Sequence, residues 1–193
     1  MARLVVAEDE VLIRADIVET LEEGGHTVVG ETGNGEQAVE LVTQLQPDLV
    51  VMDLKMPKMD GIQAARQITD ESDAAVLVLT AFSDKQLVED AADAGTIAYL
   101  VKPFQPPQLL AAVEVALARA TERHDLEAQV DDLEAKLAAR KVIERAKGSL
   151  MEQFGLSENE AYTRMRRTAM DRQVPLVEVA RRVLESQAQQ QSG

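Results

Sequence analysis

The sequence predicts a doubly wound α/β domain on a five-stranded parallel sheet over residues 1–118, then a coiled-coil helix over 119–139 and a small three-helix bundle over 140–188. Three observations predict it. Short runs apolar on both faces alternate with stretches of helical apolar spacing, the mark of parallel strands covered on both sides. From Leu117 no proline or glycine occurs until Gly148, and a heptad stripe runs through that stretch. Beyond it, Gly155 and Pro175 punctuate three further helical patterns.

Taken in order, the strands are "LVVA" (4–7), "TVVGET" (27–32), "DLVVMD" (48–53), "AVLVLTA" (75–81) and "IAYLV" (97–101). Five helices alternate with them. The first carries Val11, Ala15, Val18 and Leu21 at helical spacing, the second Ala38, Leu41, Val42 and Leu45. Leu126, Val130, Leu133 and Leu137 then recur at alternating spacings of four and three, a seam of about two heptads that is marginal as an isolated coil and suits a conditional dimer. In the bundle, the first helix ends near "MEQFG", where Gly155 can take the left-handed conformation of a helix stop. Ser157 and Glu160 in "SENE" have capping-box spacing and start the second helix. Pro175 suits the first turn of the third, with Leu176, Val179, Ala180 and Val183 on one side.

Composition narrows the function classes. The chain has 193 residues, no cysteine and a net charge of −14, so disulfides, thiolate metal sites and cysteine nucleophiles are excluded. No run of 18 uninterrupted apolar residues occurs, and the N-terminal "MARLVVAEDE" is too short and too acidic for a signal peptide, so a cytoplasmic protein without membrane contact is expected. Charge is divided along the chain: residues 1–120 hold 8 Lys/Arg against 21 Asp/Glu, whereas residues 140–182 hold 10 against 6. The two pieces therefore suit different partners, and only the second suits nucleic acid.

In a doubly wound sheet the functional crevice lies beyond the carboxyl ends of the strands. Those ends read Glu8 and Asp9, Asp53, Thr80, and Lys102. Three carboxylates on one rim repel each other and need a cation; a hard, all-oxygen set with few protein ligands suits Mg²⁺ with retained waters. Asp53 then reads as a carboxylate nucleophile for a phosphoryl group, with the metal and Lys102 neutralising the charge that develops. Singly, each of these residues reads as a solvated acid, a cap or a surface charge; together they put complementary chemistry on one rim. An aspartate-nucleophile phosphatase would need a second acid two residues on, and that position is Lys55, so no turnover of foreign phosphoesters is expected.

Residues 3 to about 118 resemble a response-regulator receiver domain, on the acidic pair after strand one, D-x-x-M-P-x-M-D-G after strand three, Thr80, and K-P-F after strand five. The resemblance implies the flavodoxin-like strand order 2-1-3-4-5 and phosphorylation of Asp53 by a sensor histidine kinase. It implies that Glu8, Asp9, Asp53 and the backbone carbonyl of Lys55 hold Mg²⁺, that Thr80 and Lys102 bind the phosphoryl oxygens, and that Tyr99 changes rotamer on activation. Glu8 stands where the family more often has Asp. The Lys102–Pro103 bond is expected to be cis, a stable way to aim the preceding side chain.

In the bundle, Lys141, Arg145 and Gly148 share the helix face opposite Ile143, Ala146, Leu150 and Phe154. On the next helix Ala161, Met165 and Thr168 face inward while Arg164 and Arg167 lie on one flank. Glycine inside a helix costs about 1 kcal/mol relative to alanine, so Gly148 on a basic face suggests close approach by a partner such as a phosphate backbone. Residues from roughly 125 to 186 resemble the ANTAR domain, on Ala146-Lys147-Gly148 within "VIERAKGSLM", on Glu160-Ala161, and on "LVEVA". That resemblance implies binding to stem-loop RNA in nascent transcripts, the bound form excluding a terminator hairpin and so causing antitermination. Lys141, Arg145, Lys147, Gly148, Arg164 and Arg167 are the candidate RNA-binding residues, and phosphorylation is expected to drive homodimerisation through the heptad seam. Two rivals belong to other classes: a DNA-binding regulator, disfavoured because "SENE" would put acids on a recognition helix, and a protein-binding signalling scaffold.

Overall fold

The computed structural model describes residues 1–81 and 95–191. It divides into two compact units, Met1–His124 and Asp125–Gly193. In the first, β1 (Arg3–Ala7), β2 (Thr27–Thr32), β3 (Leu49–Asp53), β4 (Ala75–Ala81) and β5 (Ala98–Lys102) form one sheet in the order β2-β1-β3-β4-β5. Every pairing is parallel. Helices α1 (Val11–Glu23), α2 (Gly35–Leu45) and α3 (Gly61–Glu71) connect the strands, and α4 (Pro106–Phe154) follows β5. The helix expected between β4 and β5 lies outside the described residues.

The two-sided apolar runs have a direct packing reason. On one face, Val5, Val50, Met52, Val76 and Val78 pack with Ala38 and Val42 of α2 and with Ala64, Ala65 and Ile68 of α3. On the other, Leu4, Val6, Leu49, Val51, Leu77 and Leu79 pack with Ile17 and Leu21 of α1 and with Leu109, Val113 and Ala116 of α4. A fully buried Val or Leu contributes about 1.5–3 kcal/mol, so the sheet is held from both sides. Register then sets the rim: Asp53 pairs with Leu79, and Thr80 and Ala81 pair with Val101 and Lys102. The Lys102–Pro103 bond is cis.

The loop after β3 is tied down at its far end. Asp60 caps α3, its carboxylate accepting from the Gln63 N–H at 2.8 Å. The first helical residue, Gly61, lies against the backbone of Asp53, whose carbonyl would collide with any Cβ placed there. Gly61→Ala is therefore expected to lower stability by about 1–3 kcal/mol, the usual cost of overpacking, and to shift the Asp53 backbone. Urea unfolding of the full chain checks it; an unchanged midpoint would show that this contact relaxes freely.

The second unit contains the C-terminal part of α4, α5 (Glu158–Arg172) and α6 (Leu176–Gln191). Ala146 and Leu150 of α4, Ala161, Met165 and Ala169 of α5, and Val179 and Ala180 of α6 make its core. The inward stripe of α5 is thus 161, 165 and 169, one row of i, i+4 neighbours, while Thr168 is half-buried and donates to the Arg164 carbonyl at 3.0 Å. Gly155 ends α4 with φ +67°, and the Ser157–Glu160 capping box closes the start of α5. Helix α6 begins at Leu176, and the Pro175 carbonyl accepts from the Glu178 N–H at 3.0 Å. No helix among the described residues is long and apolar enough to cross a membrane.

Candidate functional site

Four of the predicted rim residues meet. Asp53 ends β3, Glu8 and Asp9 follow β1, and each of these three offers a carboxylate oxygen within 4.8 Å of the others'. Lys102, at the end of β5, places Nζ 2.6 Å from Glu8 Oε2 and 3.2 Å from Asp53 Oδ1. Glu8 is fully buried, Asp53 is buried and Asp9 is exposed, so the cluster opens to solvent on one side. Thr80 is also buried, its Oγ1 donating at 3.3 Å to the Ala81 carbonyl. Lys55 is exposed in the loop after β3. Tyr99, on β5, is 56% exposed beside a shallow depression of about 480 Å³ that Val101, Lys102 and Pro103 also line.

The electrostatics show a site short of positive charge. Burial pushes the Glu8 carboxyl above its ordinary range against the hydrogen bond from Lys102, and the Asp53 charge adds to the push. Burial likewise raises Asp53 against the opposing pull of Lys102. For Lys102 burial acts downward, but its hydrogen bond to Glu8 and the charges of Asp53 and Glu8 outweigh it and the pKa rises. The Lys102 ammonium pairs with two of the three carboxylates. A small hard dication with its own waters would complete this donor set, and the set is all oxygen as such an ion requires.

Two contributors were not read from the sequence. Arg14 on α1 donates to the Glu8 carbonyl at 2.6 Å and pairs with Glu31 of β2 at 3.2 Å, which fixes the backbone that carries the acidic pair. Gly61 allows α3 to start against Asp53. A lone arginine among helix acids gives no signal of such a role; the glycine was visible as part of the D-G dipeptide.

In the second unit the six candidate RNA-binding residues fall into different environments. Lys141 and Arg145 are exposed on one row of α4, and at Gly148 a Cβ would meet open space. Arg164 and Arg167 are exposed on α5, Arg167 standing 4.0 Å from Asp171. Lys147 is buried, with Nζ 2.6 Å from both Glu144 and Glu158. Its pKa is raised by those two hydrogen bonds, and that of Glu158 is lowered by its bond to Lys147. The lysine thus ties α4 to the first turn of α5, and Ser149 ties α4 to α6 by donating to Gln187 Oε1 at 2.6 Å. The seam residues Leu126, Val130, Leu133 and Leu137 are 53–64% exposed.

Comparison with known proteins agrees with both halves. The response regulator receiver domain matches residues 4–114, and the ANTAR domain matches residues 131–184. The transcriptional regulatory protein PdtaR of Mycobacterium tuberculosis is 49% identical over 184 residues, 95% of this chain and 90% of its own length. The chemotaxis protein CheY of Bacillus subtilis is 38% identical over 116 residues, 60% of this chain and 97% of its own. Among solved structures, a LuxR-family two-component response regulator from Aurantimonas sp. SI85-9A1 superposes with a TM-score of 0.58 at 31% identity, covering 61% of this chain and 86% of that one. With both matches along its length and a relative of the same architecture, this chain belongs to the response regulators, as one that joins a receiver domain to an ANTAR domain.

Proposed function

We propose that this protein accepts a phosphoryl group on Asp53 from a sensor histidine kinase, dimerises, and binds stem-loop RNA to cause transcription antitermination. The observation that carries it is the cluster of Glu8, Asp9, Asp53 and Lys102 on the rim of a sheet whose chain continues into an ANTAR domain. An Asp53 carboxylate oxygen attacks phosphorus, forming the O–P bond as the N–P bond to the kinase imidazole breaks; the departing imidazole keeps the electron pair and takes a proton. Lys102 stands within reach of the oxygens that gain charge, and Thr80, at the end of the neighbouring strand, supplies a hydroxyl to the same rim. Glu8, Asp9, Asp53 and the Lys55 carbonyl would hold Mg²⁺, which when bound neutralises charge on the transferring group. Receipt of the phosphoryl group turns the Lys102 ammonium from Glu8 towards the new dianion, and Tyr99 on the same strand is placed to pass that change to the surface.

Output then follows from the exposed seam and the basic rows. Pairing Leu126, Val130, Leu133 and Leu137 across two copies buries a stripe that water otherwise covers, and two basic bundles gain avidity on a two-hairpin RNA. The test is binding of the purified protein to a tandem stem-loop RNA and to duplex DNA of equal charge, with Mg²⁺, with and without a phosphoryl donor, across a salt series. RNA binding that strengthens on phosphorylation is expected. Equal, salt-sensitive binding to both would mark the basic surface as nonspecific and favour a scaffold, and a preference for the duplex would favour a DNA-binding regulator.

A further inference from the structure

The residue that most changes its standing between sequence and structure is Phe154. Helical spacing puts it on the apolar face of α4, yet it is 50% exposed and takes no part in the bundle's core, which Leu150, Met151 and Leu156 reach on either side of it. The guanidinium carbon of Arg164 lies 4.7 Å over the centre of its ring. The negative face of the ring attracts the cation, which keeps the guanidinium beside a half-exposed aromatic surface. Arg164 has no carboxylate at ion-pair distance among the described residues, whereas Lys147 has two and Arg167 and Arg181 have one each. Its charge therefore remains available.

We infer that Phe154 and Arg164 form a stacking seat for an unpaired nucleobase, so that the bundle reads an RNA loop as well as the phosphates of its stem. The inference rests on the RNA-binding reading above and deepens it. Bases inside an A-form stem are stacked on each other and offer no free face, but a splayed loop base does. A base laid against the exposed planes of this pair extends the stack, and the guanidinium can also reach a neighbouring phosphate oxygen with donors that its ring contact does not use. Tyr162, the other exposed aromatic of this unit, falls on the opposite side of α5 from Arg164, so the seat is a single one.

The experiment uses the full chain, phosphorylated with acetyl phosphate and Mg²⁺. The probes are a two-hairpin RNA carrying 2-aminopurine in one loop and a fully paired RNA duplex with the same number of phosphates. Wild type is expected to quench the 2-aminopurine and to prefer the hairpin RNA. Phe154→Leu, which keeps an apolar side chain and removes the ring, is expected to lower the hairpin-to-duplex preference roughly 5- to 150-fold, the range that one base–aromatic stack covers, and to abolish the quench. Phe154→Trp should restore both. Arg164→Lys keeps the charge and loses the plane, so it should lose the quench too, and it reads the same seat should Phe154→Leu unfold. If both variants keep the quench and the preference, the seat is wrong and RNA binding stands. If wild type binds neither RNA, the RNA-binding reading fails and the seat with it.

Discussion

Replacing Asp53 by Asn is expected to reduce phosphoryl incorporation to background, at least about a hundredfold below wild type, and to leave RNA binding deaf to a phosphoryl donor. The amide has nearly the shape of the carboxylate but no anionic oxygen to attack phosphorus, and the neighbouring Glu8 is fully buried against Lys102. Folding is not expected to suffer. The Asp53 carboxyl is raised by burial, which means that its ionised form costs stability at neutral pH, and the neutral amide removes that cost. Label transfer from acetyl phosphate in Mg²⁺, with urea unfolding in parallel, separates the two effects. Phosphoryl-dependent dimerisation that survived in Asp53→Asn would overturn the assignment of the acceptor.

Lys102→Ala is the second large effect and strikes at stability as well as signalling. It removes the cation shared by Glu8 and Asp53 and leaves a fully buried carboxylate with no partner charge. Breaking a buried pair from one side usually costs about 3–5 kcal/mol; the partial exposure of Lys102 puts the expected loss near the lower figure. Added Mg²⁺ should return part of it, because a ligand that binds only the folded chain stabilises by mass action. The pH dependence has a definite sign. Glu8 and Asp53 are raised above their ordinary values of 4.5 and 3.8, so the folded chain holds those protons more tightly than the unfolded one, and their ionisation lowers stability as pH rises through the folded values. Lys102 is raised from 10.5, so its contribution is complete below that value and is lost only as pH rises beyond it. The deficit of Lys102→Ala should therefore shrink as the pH is lowered from neutrality towards the carboxylate range, and Mg²⁺ should lose its rescuing effect over the same window as protons displace it. Urea midpoints across pH, with and without the metal, would show this; a deficit constant with pH would mean that lost packing, not charge, is responsible.

The receiver half was legible almost residue by residue because its signals are local. A strand buried on both faces must be a continuous apolar run, and whatever follows that run must sit on the rim, so Glu8, Asp9, Asp53, Thr80 and Lys102 announce themselves by position alone. Helix stops and starts are equally local: Gly155 and the Ser157–Glu160 box act within a single turn. The basic surface of the bundle was less legible. A lysine at the edge of an apolar stripe reads the same whether it reaches water or a carboxylate, and only the arrival of Glu158, eleven residues on, decides that Lys147 is internally paired.

From its sequence alone this protein had a parallel α/β sheet with an acidic rim, a heptad seam and a basic helical segment at its C-terminal end, because periodicity and end chemistry are carried by neighbours along the chain. Tertiary structure decided what depends on neighbours across it. It turned Arg14 onto the Glu8 carbonyl, made Gly61 the residue that lets α3 begin against Asp53, and set Arg164 over a half-exposed Phe154. Burial, pairing and stacking are properties of two elements at once, and helical spacing describes only one.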